Sequence, residues 1–198
     1  RNPAISVMRL LLCIGLFACM PVTAQDERLV EGDILLKLES SKTLSKEAIA
    51  IAGDRYRWTD GIVPYTVDAA IPNQQRIADA VQHWNDNTRL RLVPRTGEAN
   101  FVRFVRRASG CSSFVGMIGG AQAINLGDDC SLGNTIHEIG HAVGLYHEQS
   151  RQDRDFYIQV TYANLDKREF LQYDQQLTGA DDLGGYDFGS IMHSSPSG

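Results

Sequence analysis

Long apolar runs and an excess of positive charge are both missing from this 198-residue sequence. The apolar run at residues 10–18 is about half the roughly 20 residues that a helix needs to cross a bilayer, so we predict no membrane span. The formal net charge is -5, which argues against nucleic acid as a partner. A basic cluster at Arg103, Arg106 and Arg107 is short and mixed with apolar residues, and we interpret it as a solvated strand edge.

Residues 1–24 have the layout of a secretory signal peptide, with residues 1–7 as a possible N-terminal extension. A short positive start at Met8 and Arg9 precedes the apolar run, and small residues precede the predicted cleavage point. We therefore expect a secreted protein. A periplasmic location or lipid attachment at Cys19 is the alternative.

Cysteine is scarce: the sequence has four, and two of them lie in the predicted signal peptide. Cys111 and Cys130 remain. Because an exported protein folds in an oxidising compartment, we expect these two to form a disulfide. Two buried free thiols are the alternative.

The stretch HEIGHAVGLYH contains three histidines at spacings that suit one metal ion. On a helix, His137 and His141 lie one turn apart on the same face and can bind a single Zn²⁺. Glu138 is close enough to reach a metal-bound water without occupying the metal. His147 can join them only if the helix ends first, and Gly144 can take the left-handed conformation that allows this.

Two other interpretations of these histidines stay open. They could be surface residues of an amphipathic helix, hydrogen-bonded to water. They could also form a structural zinc site, although such sites usually close the coordination sphere with a fourth Cys or His, whereas three histidines leave a position open.

The residues alone also predict the main secondary structure. We predict strands at 62–67, 89–93 and 101–105 from their β-branched and apolar residues. We predict a helix at 72–88 and a metal-binding helix at 132–145 from apolar periodicity. Ser131 or Asn134 could cap the second helix.

The complete pattern HExxHxxGxxHExxRxDRD resembles the signature of the astacin metallopeptidases, a family within the metzincins. Its ten fixed positions are His137, Glu138, His141, Gly144, His147, Glu148, Arg151, Asp153, Arg154 and Asp155. The stretch SIMH around Met192 resembles the methionine turn of metzincins. Trp58 and residues 61–66 (GIVPYT) resemble the opening strand of the catalytic domain, so the likeness covers most of the chain from about residue 50.

The resemblance implies an α+β, zincin-like catalytic domain, with a twisted five-stranded mixed sheet over an active-site helix and two long helices. It implies a catalytic domain at residues 50–198, an edge strand at 121–126 that pairs with an extended substrate, and a disulfide between Cys111 and Cys130. Astacin domains continue well beyond the methionine turn. The resemblance therefore implies that the printed sequence ends within the domain, with its C-terminal part truncated.

The resemblance also implies roles for single residues. One Zn²⁺ per chain would be bound by the three histidines, Glu138 would be the general base, and Met192 would lie beneath the metal. Residues 25–49 would be a short pro-segment in which Asp33 ligates the metal, making the chain a zymogen that an activating protease processes. Glu148 would then pair with the new N-terminus.

We accordingly predict a monomeric zinc endopeptidase that acts on proteins or peptides. One departure from the family is Ser194, which stands where a tyrosine near the metal is usual. This departure and the early end of the sequence motivate a competing hypothesis, an inactive, zinc-bound module that binds peptides. A structural zinc module in a larger assembly is a third hypothesis, and it predicts a closed coordination sphere.

Overall fold

The computed structural model describes residues 27–30, 33–37, 49–165, 170–175 and 178–194. The predicted signal peptide, Cys19 and most of the predicted pro-segment lie outside the described residues. Nine strands and two α-helices are described. The strands are β1 (Glu27–Val30), β2 (Ile34–Lys37), β3 (Ala50–Ile51), β4 (Ile62–Val67), β5 (Arg91–Pro94), β6 (Phe101–Arg106), β7 (Cys111–Phe114), β8 (Ala121–Leu126) and β9 (Ala180–Asp181), and the helices are α1 (Gln75–Asn87) and α2 (Leu132–Ala142).

The main sheet has seven strands in the order β1-β2-β7-β8-β6-β4-β5. Strands β4, β5, β6 and β8 run parallel to one another, and β7 runs antiparallel to β8. These five form the predicted mixed sheet, and β1 and β2, from the predicted pro-segment, extend it. The α+β fold class is confirmed.

The predicted edge strand at 121–126 is wrong in its position within the sheet. Strand β8 has these bounds, but it lies between β6 and β7. Its alternate residues Gln122, Ile124 and Leu126 are almost fully buried, as expected of an interior strand. The hairpin between β7 and β8 places β7 outermost among the five strands, and β2 pairs with β7 in a parallel register.

Helix α1 packs its apolar face, which includes Ile77, Ala80, Val81 and Trp84, against the core between sheet and α2. The residues recur every three or four positions, so they lie on one side of the helix. The predicted helix at 72–88 is confirmed in type, and its first turn begins three residues after Pro72.

Both ends of α2 are fixed by local hydrogen bonds. Ser131 caps the N-terminus in a capping box: its hydroxyl accepts from the backbone of Asn134, whose side chain accepts in return from the backbone of Ser131. At the other end, Leu145 N–H donates to the Gly140 carbonyl and Gly144 N–H to that of His141, which is the Schellman arrangement. Gly144 has φ +110°, so the predicted helix break at this glycine is confirmed.

The two tryptophans and one arginine tie α2 to the rest of the domain. Trp58 Nε1 donates to the carbonyl of Ala142 at 2.8 Å, and Trp84 Nε1 to that of Ile136 at 3.0 Å. Arg76, on α1, donates to the carbonyls of Gly127 and Cys130 in the turn before α2. The helix is therefore held at both ends and in the middle by groups from other elements.

A second, two-stranded sheet pairs β3 with β9. The chain before Trp58 is bound into the domain here: Ile51 N–H donates to the Gly144 carbonyl, and Tyr146 N–H donates to that of Ile49. Ala50 is 1% exposed. Cleavage at the end of the predicted pro-segment, near residue 50, therefore requires β3 to separate from β9 first.

Among the described residues, neither α-helix has the length and apolar character that a membrane span requires.

The predicted disulfide is present. Cys111 and Cys130 lie with their Cα atoms 6.2 Å apart and close a loop that contains β7 and β8. It joins the outer strand of the hairpin to the turn that precedes α2.

Replacing both cysteines with serine is expected to lower the free energy of unfolding by about 3 kcal/mol, because the unfolded chain regains the freedom of a loop with a sequence separation of 19. Denaturant unfolding of both proteins under oxidising conditions measures the change. The wild type under reducing conditions should match the double variant. A difference below about 1 kcal/mol would contradict this account of the disulfide.

Candidate metal centre

Three imidazole nitrogens converge at the C-terminal half of α2. His137 and His141 project from one face of the helix, and the turn at Gly144 brings His147 back toward them. The Nε2 atoms of His137 and His147 lie 3.2 Å apart. His141 and His147 are almost fully buried. The predicted grouping of these three histidines is thus present in the fold.

Backbone carbonyls orient two of the three rings. His137 Nδ1 lies 2.8 Å from the Ile191 oxygen, and His141 Nδ1 lies 2.8 Å from the Leu145 oxygen. A carbonyl oxygen only accepts, so each Nδ1 donates its proton and each Nε2 presents a lone pair to the centre. Burial also lowers the pKa of His141 to about 4, which keeps the ring neutral at pH 7.

Asp33 occupies the fourth position of the cluster. Its carboxylate oxygens lie 3.2 Å from Nε2 of His137 and of His147, and 3.7 Å from that of His141. Its backbone oxygen accepts from Ser113 N–H at 2.8 Å, which fixes this residue against β7. Burial opposes ionisation of Asp33, but the three histidines hold the pKa of the carboxyl well below its usual range.

The four side chains fit a cation. One ligand atom from each lies within 4.8 Å of the others. His141 Nε2 and Asp33 Oδ1 are buried, and neither has a hydrogen-bond partner within the described part of the chain. Lone pairs that face one another repel unless a cation lies between them. Two nitrogens each about 2.0 Å from a tetrahedral Zn²⁺ would be about 3.3 Å apart, close to the His137–His147 separation.

Glu138 lies beside this cluster and is 1% exposed. Its Oε2 is buried with no hydrogen-bond partner among the residues that the structure describes. Burial raises the pKa of the Glu138 carboxyl to about 9, and the negative charge of Asp33 adds to the shift. A dication between the histidines would favour the ionised form, as would removal of Asp33.

The predicted methionine turn supports the cluster from below through three separate contacts. The Ile191 carbonyl holds His137, and the Met192 carbonyl accepts from the backbone of Glu148 at 2.9 Å, directly after His147. Met192 is 3% exposed and its sulfur packs against Gly140, where a Cβ atom would lie 2.6 Å from it. Gly140 therefore permits the turn to approach the helix.

Two further predicted residues lie close by. Glu148 accepts from the backbone of Asp187 at 3.0 Å, and its carboxylate lies 3.6 Å from the guanidinium of Arg151. Its pairing with a new N-terminus stays a prediction. Ser194 is bonded twice to the buried amide of Gln149, which directs its short side chain away from a role like that of the usual tyrosine.

Several residues position the ligands without binding the metal, and their role was not predicted from the sequence. Trp58 and Trp84 fix α2, and Ile191 fixes His137 through its backbone. Backbone carbonyls leave no trace in residue identity, so the role of Ile191 could not be found. A glycine inside a helix is costly unless packing requires it, so Gly140 did offer a signal.

Comparison with known proteins gives the same assignment from an independent direction. The model of the peptidase family Astacin matches residues 50–197. Blastula protease 10 of Paracentrotus lividus is 37% identical over 187 residues, which cover 82% of this chain and 31% of that protein. Zinc metalloproteinase nas-13 of Caenorhabditis elegans is 38% identical over 147 residues, covering 71% and 32%. The chain thus spans about a third of the length of these curated relatives.

A solved structure has the same fold. High choriolytic enzyme 1, a hatching enzyme zinc-protease from Oryzias latipes, superposes with a TM-score of 0.64 at 28% identity. The match covers 74% of this chain and 77% of that one. Zn²⁺ is accordingly the cation that both the donor set and the comparisons indicate.

Gly140→Ala is expected to destabilise the fold by about 1–3 kcal/mol and to weaken zinc binding, because the new methyl group displaces Met192 and with it the turn that holds His137. Gly133→Ala is the matched control, since its Cβ would meet only Ser131 at 3.6 Å. Thermal unfolding and zinc competition with a chelator measure both effects. Equal behaviour of the two variants would contradict the proposed contact.

Proposed function

The chain belongs to the astacin family, and from that premise we propose that it is a zinc-dependent endopeptidase that hydrolyses proteins or peptides. The proposal rests on one observation above all: three histidine lone pairs and the buried carboxyl of Glu138 meet at one cleft. When bound, Zn²⁺ would polarise the scissile carbonyl and acidify a water molecule. The proposed ligands are His137, His141 and His147.

Glu138 is the proposed general base and acid. It follows the first ligand directly on α2, so its carboxyl lies beside the metal position without belonging to the ligand cluster. Its Oε2, which has no partner among the described residues, is available to accept a proton from water and return it to the leaving amine. The buried surroundings strengthen such a proton transfer because they exclude competing water.

The outer edge of β7 is the proposed site for the substrate backbone. An extended chain can pair with the N–H and C=O groups along this edge, as β2 does through Ile34 and Leu35. The competing hypothesis of an inactive peptide-binding module also uses this strand. The buried Oε2 of Glu138, which has no hydrogen-bond partner among the described residues, favours the enzyme, because such an atom is costly and a binding module has no use for it.

Glu138→Ala is expected to retain about one zinc per chain and to lose roughly two to four orders of magnitude in kcat, as loss of a general base does. The measurement is peptide turnover together with zinc content, on protein freed from Asp33 inhibition. Glu98→Ala, which changes a partly exposed glutamate in the loop between β5 and β6, is the control and should retain full activity. Unchanged turnover in the Glu138 variant would end this mechanism.

We further propose that the chain is exported as an inactive precursor and that Asp33 keeps it inactive. The support is geometric: its carboxylate lies among the three histidines at the position where water would otherwise bind. Pairing of β2 with β7 holds the same segment along the outer edge of β7. Substrate and water would thus be excluded together until an activating protease removes the segment.

Asp33→Ala should give a full-length chain that is active before any cleavage, because the open metal position becomes available to water. Wild type and variant are assayed on one peptide, with mass spectrometry confirming that both chains are intact. Asp79→Ala, on the exposed face of α1, is the control and should be as inactive as the wild type. Equal inactivity of the Asp33 variant with zinc bound would count against the switch.

A further inference from the structure

A cavity of about 440 Å³ lies beside Glu138, along the N-terminal half of α2. Its lining is mixed polar and apolar, and it includes carboxylates but no lysine or arginine among the described residues. The lining residues are Asp33, Cys111, Ser131, Gly133, Asn134, His137, Glu138, Ile191 and His193. The metal ligands and Glu138 belong to the site already described, whereas Ser131 and Asn134 have no part in it.

The position of the cavity relative to β7 indicates which substrate residue would enter it. Ser113 of β7 bonds the backbone of Asp33, so it marks the level of the metal position. Cys111, which lines the cavity, precedes it by two residues, or about 7 Å along the strand. In a chain antiparallel to β7, the more stable pairing, residues after the scissile bond lie toward Cys111.

Asn134 is one helical turn before Glu138, so a side chain next to the scissile bond can reach it. The capping box occupies its Oδ1, which accepts from both the N–H and the hydroxyl of Ser131. The orientation of the amide is thereby fixed. Its Nδ2 donates no hydrogen bond within the described residues and remains available at the cavity wall.

The available groups match a neutral amide. Asn134 Nδ2 can donate to an amide oxygen, and the Ser131 hydroxyl, which already donates to Asn134, keeps a lone pair that can accept from an amide N–H. A carboxylate in this cavity would face Glu138 with no cationic side chain to neutralise it. Asn134 and Ser131 are exposed and so can bond water, and an aliphatic side chain would displace that water without replacing its hydrogen bond to Asn134 Nδ2.

We propose that this cavity receives the side chain directly after the scissile bond and that Asn134 selects a neutral amide, glutamine or asparagine, at that position. The inference rests on the proposed endopeptidase function and names its specificity. Asn134 is a specificity-determining residue here, since its side chain would contact the substrate and not the reacting atoms.

The test uses the zinc-loaded full chain with Asp33→Ala and four peptides that differ only after the scissile bond, with Gln, Glu, Leu or Lys there. We expect kcat/KM for the Gln peptide to exceed that for Leu by about 3–10-fold, the effect of one neutral hydrogen bond, and that for Glu by more. Adding Asn134→Asp should reverse the order toward Lys. The aspartate can still accept from Ser131, so the cap is retained, and thermal unfolding checks this. Asn87→Asp, on α1, is the control and should leave the order unchanged.

Direct binding separates this inference from the proposed function. Fluorescence anisotropy with the Asp33→Ala, Glu138→Gln double variant measures the Kd of the same peptides without turnover. No cleavage by the Asp33→Ala protein, even after proteolytic removal of the segment before residue 50, together with tighter binding of the Gln peptide, would refute the peptidase and support the cavity. Equal cleavage of all peptides, equal binding, or an order that Asn134→Asp does not alter would each overturn the inference.

Discussion

Everything at this centre depends on mutual repulsion among lone pairs that the fold forces together. Three imidazoles and a carboxylate face one another, and two of their atoms are buried without hydrogen-bond partners in the described structure. His137 and His141 already donate from Nδ1 to backbone carbonyls, so in their singly protonated forms both rings direct a lone pair from Nε2 at the centre. The fold therefore carries a repulsion that a bound cation offsets, so the free energy of binding the cation adds to the free energy of folding.

That repulsion can be sustained because the supports of the ligands are independent of the metal. The capping box and the Schellman turn define α2, while Trp58 and Trp84 hold it by their indole N–H groups. The methionine turn then closes the site from below through backbone carbonyls and a sulfur packed on Gly140. Each support makes its own hydrogen bonds or packing contacts without the metal. The histidines therefore keep their geometry whether Asp33 or another ligand fills the fourth position.

The sequence was sufficient for the ligands and insufficient for their supports. The spacing of His137, His141 and Gly144 determines a helix that ends in a reversal, and the structure has both. The family resemblance predicted the bounds of β8, but the place of this strand in the sheet depends on which neighbour the hairpin leaves outside, and no local pattern reports that. Likewise, the carbonyl of Ile191 orients His137 from a position far away in the sequence, and a residue of any type could supply this carbonyl.

The direction of β2 gives a physical reason why the pro-segment could block the cleft without being cut. It runs parallel to β7, whereas a substrate in the more stable pairing would run antiparallel. Reversing the direction of a chain exchanges the positions of its carbonyl and amide groups along the strand. At the position where a productive substrate would present its scissile carbonyl to the metal, the structure has the side chain of Asp33. In the proposed precursor, the strand that would align a substrate also aligns the inhibitory segment, and chain direction distinguishes the two. In this proposal, loss of the Asp33 carboxylate leaves only the backbone pairing of Ile34 and Leu35 to hold the segment, and a substrate that pairs antiparallel to β7 can displace it.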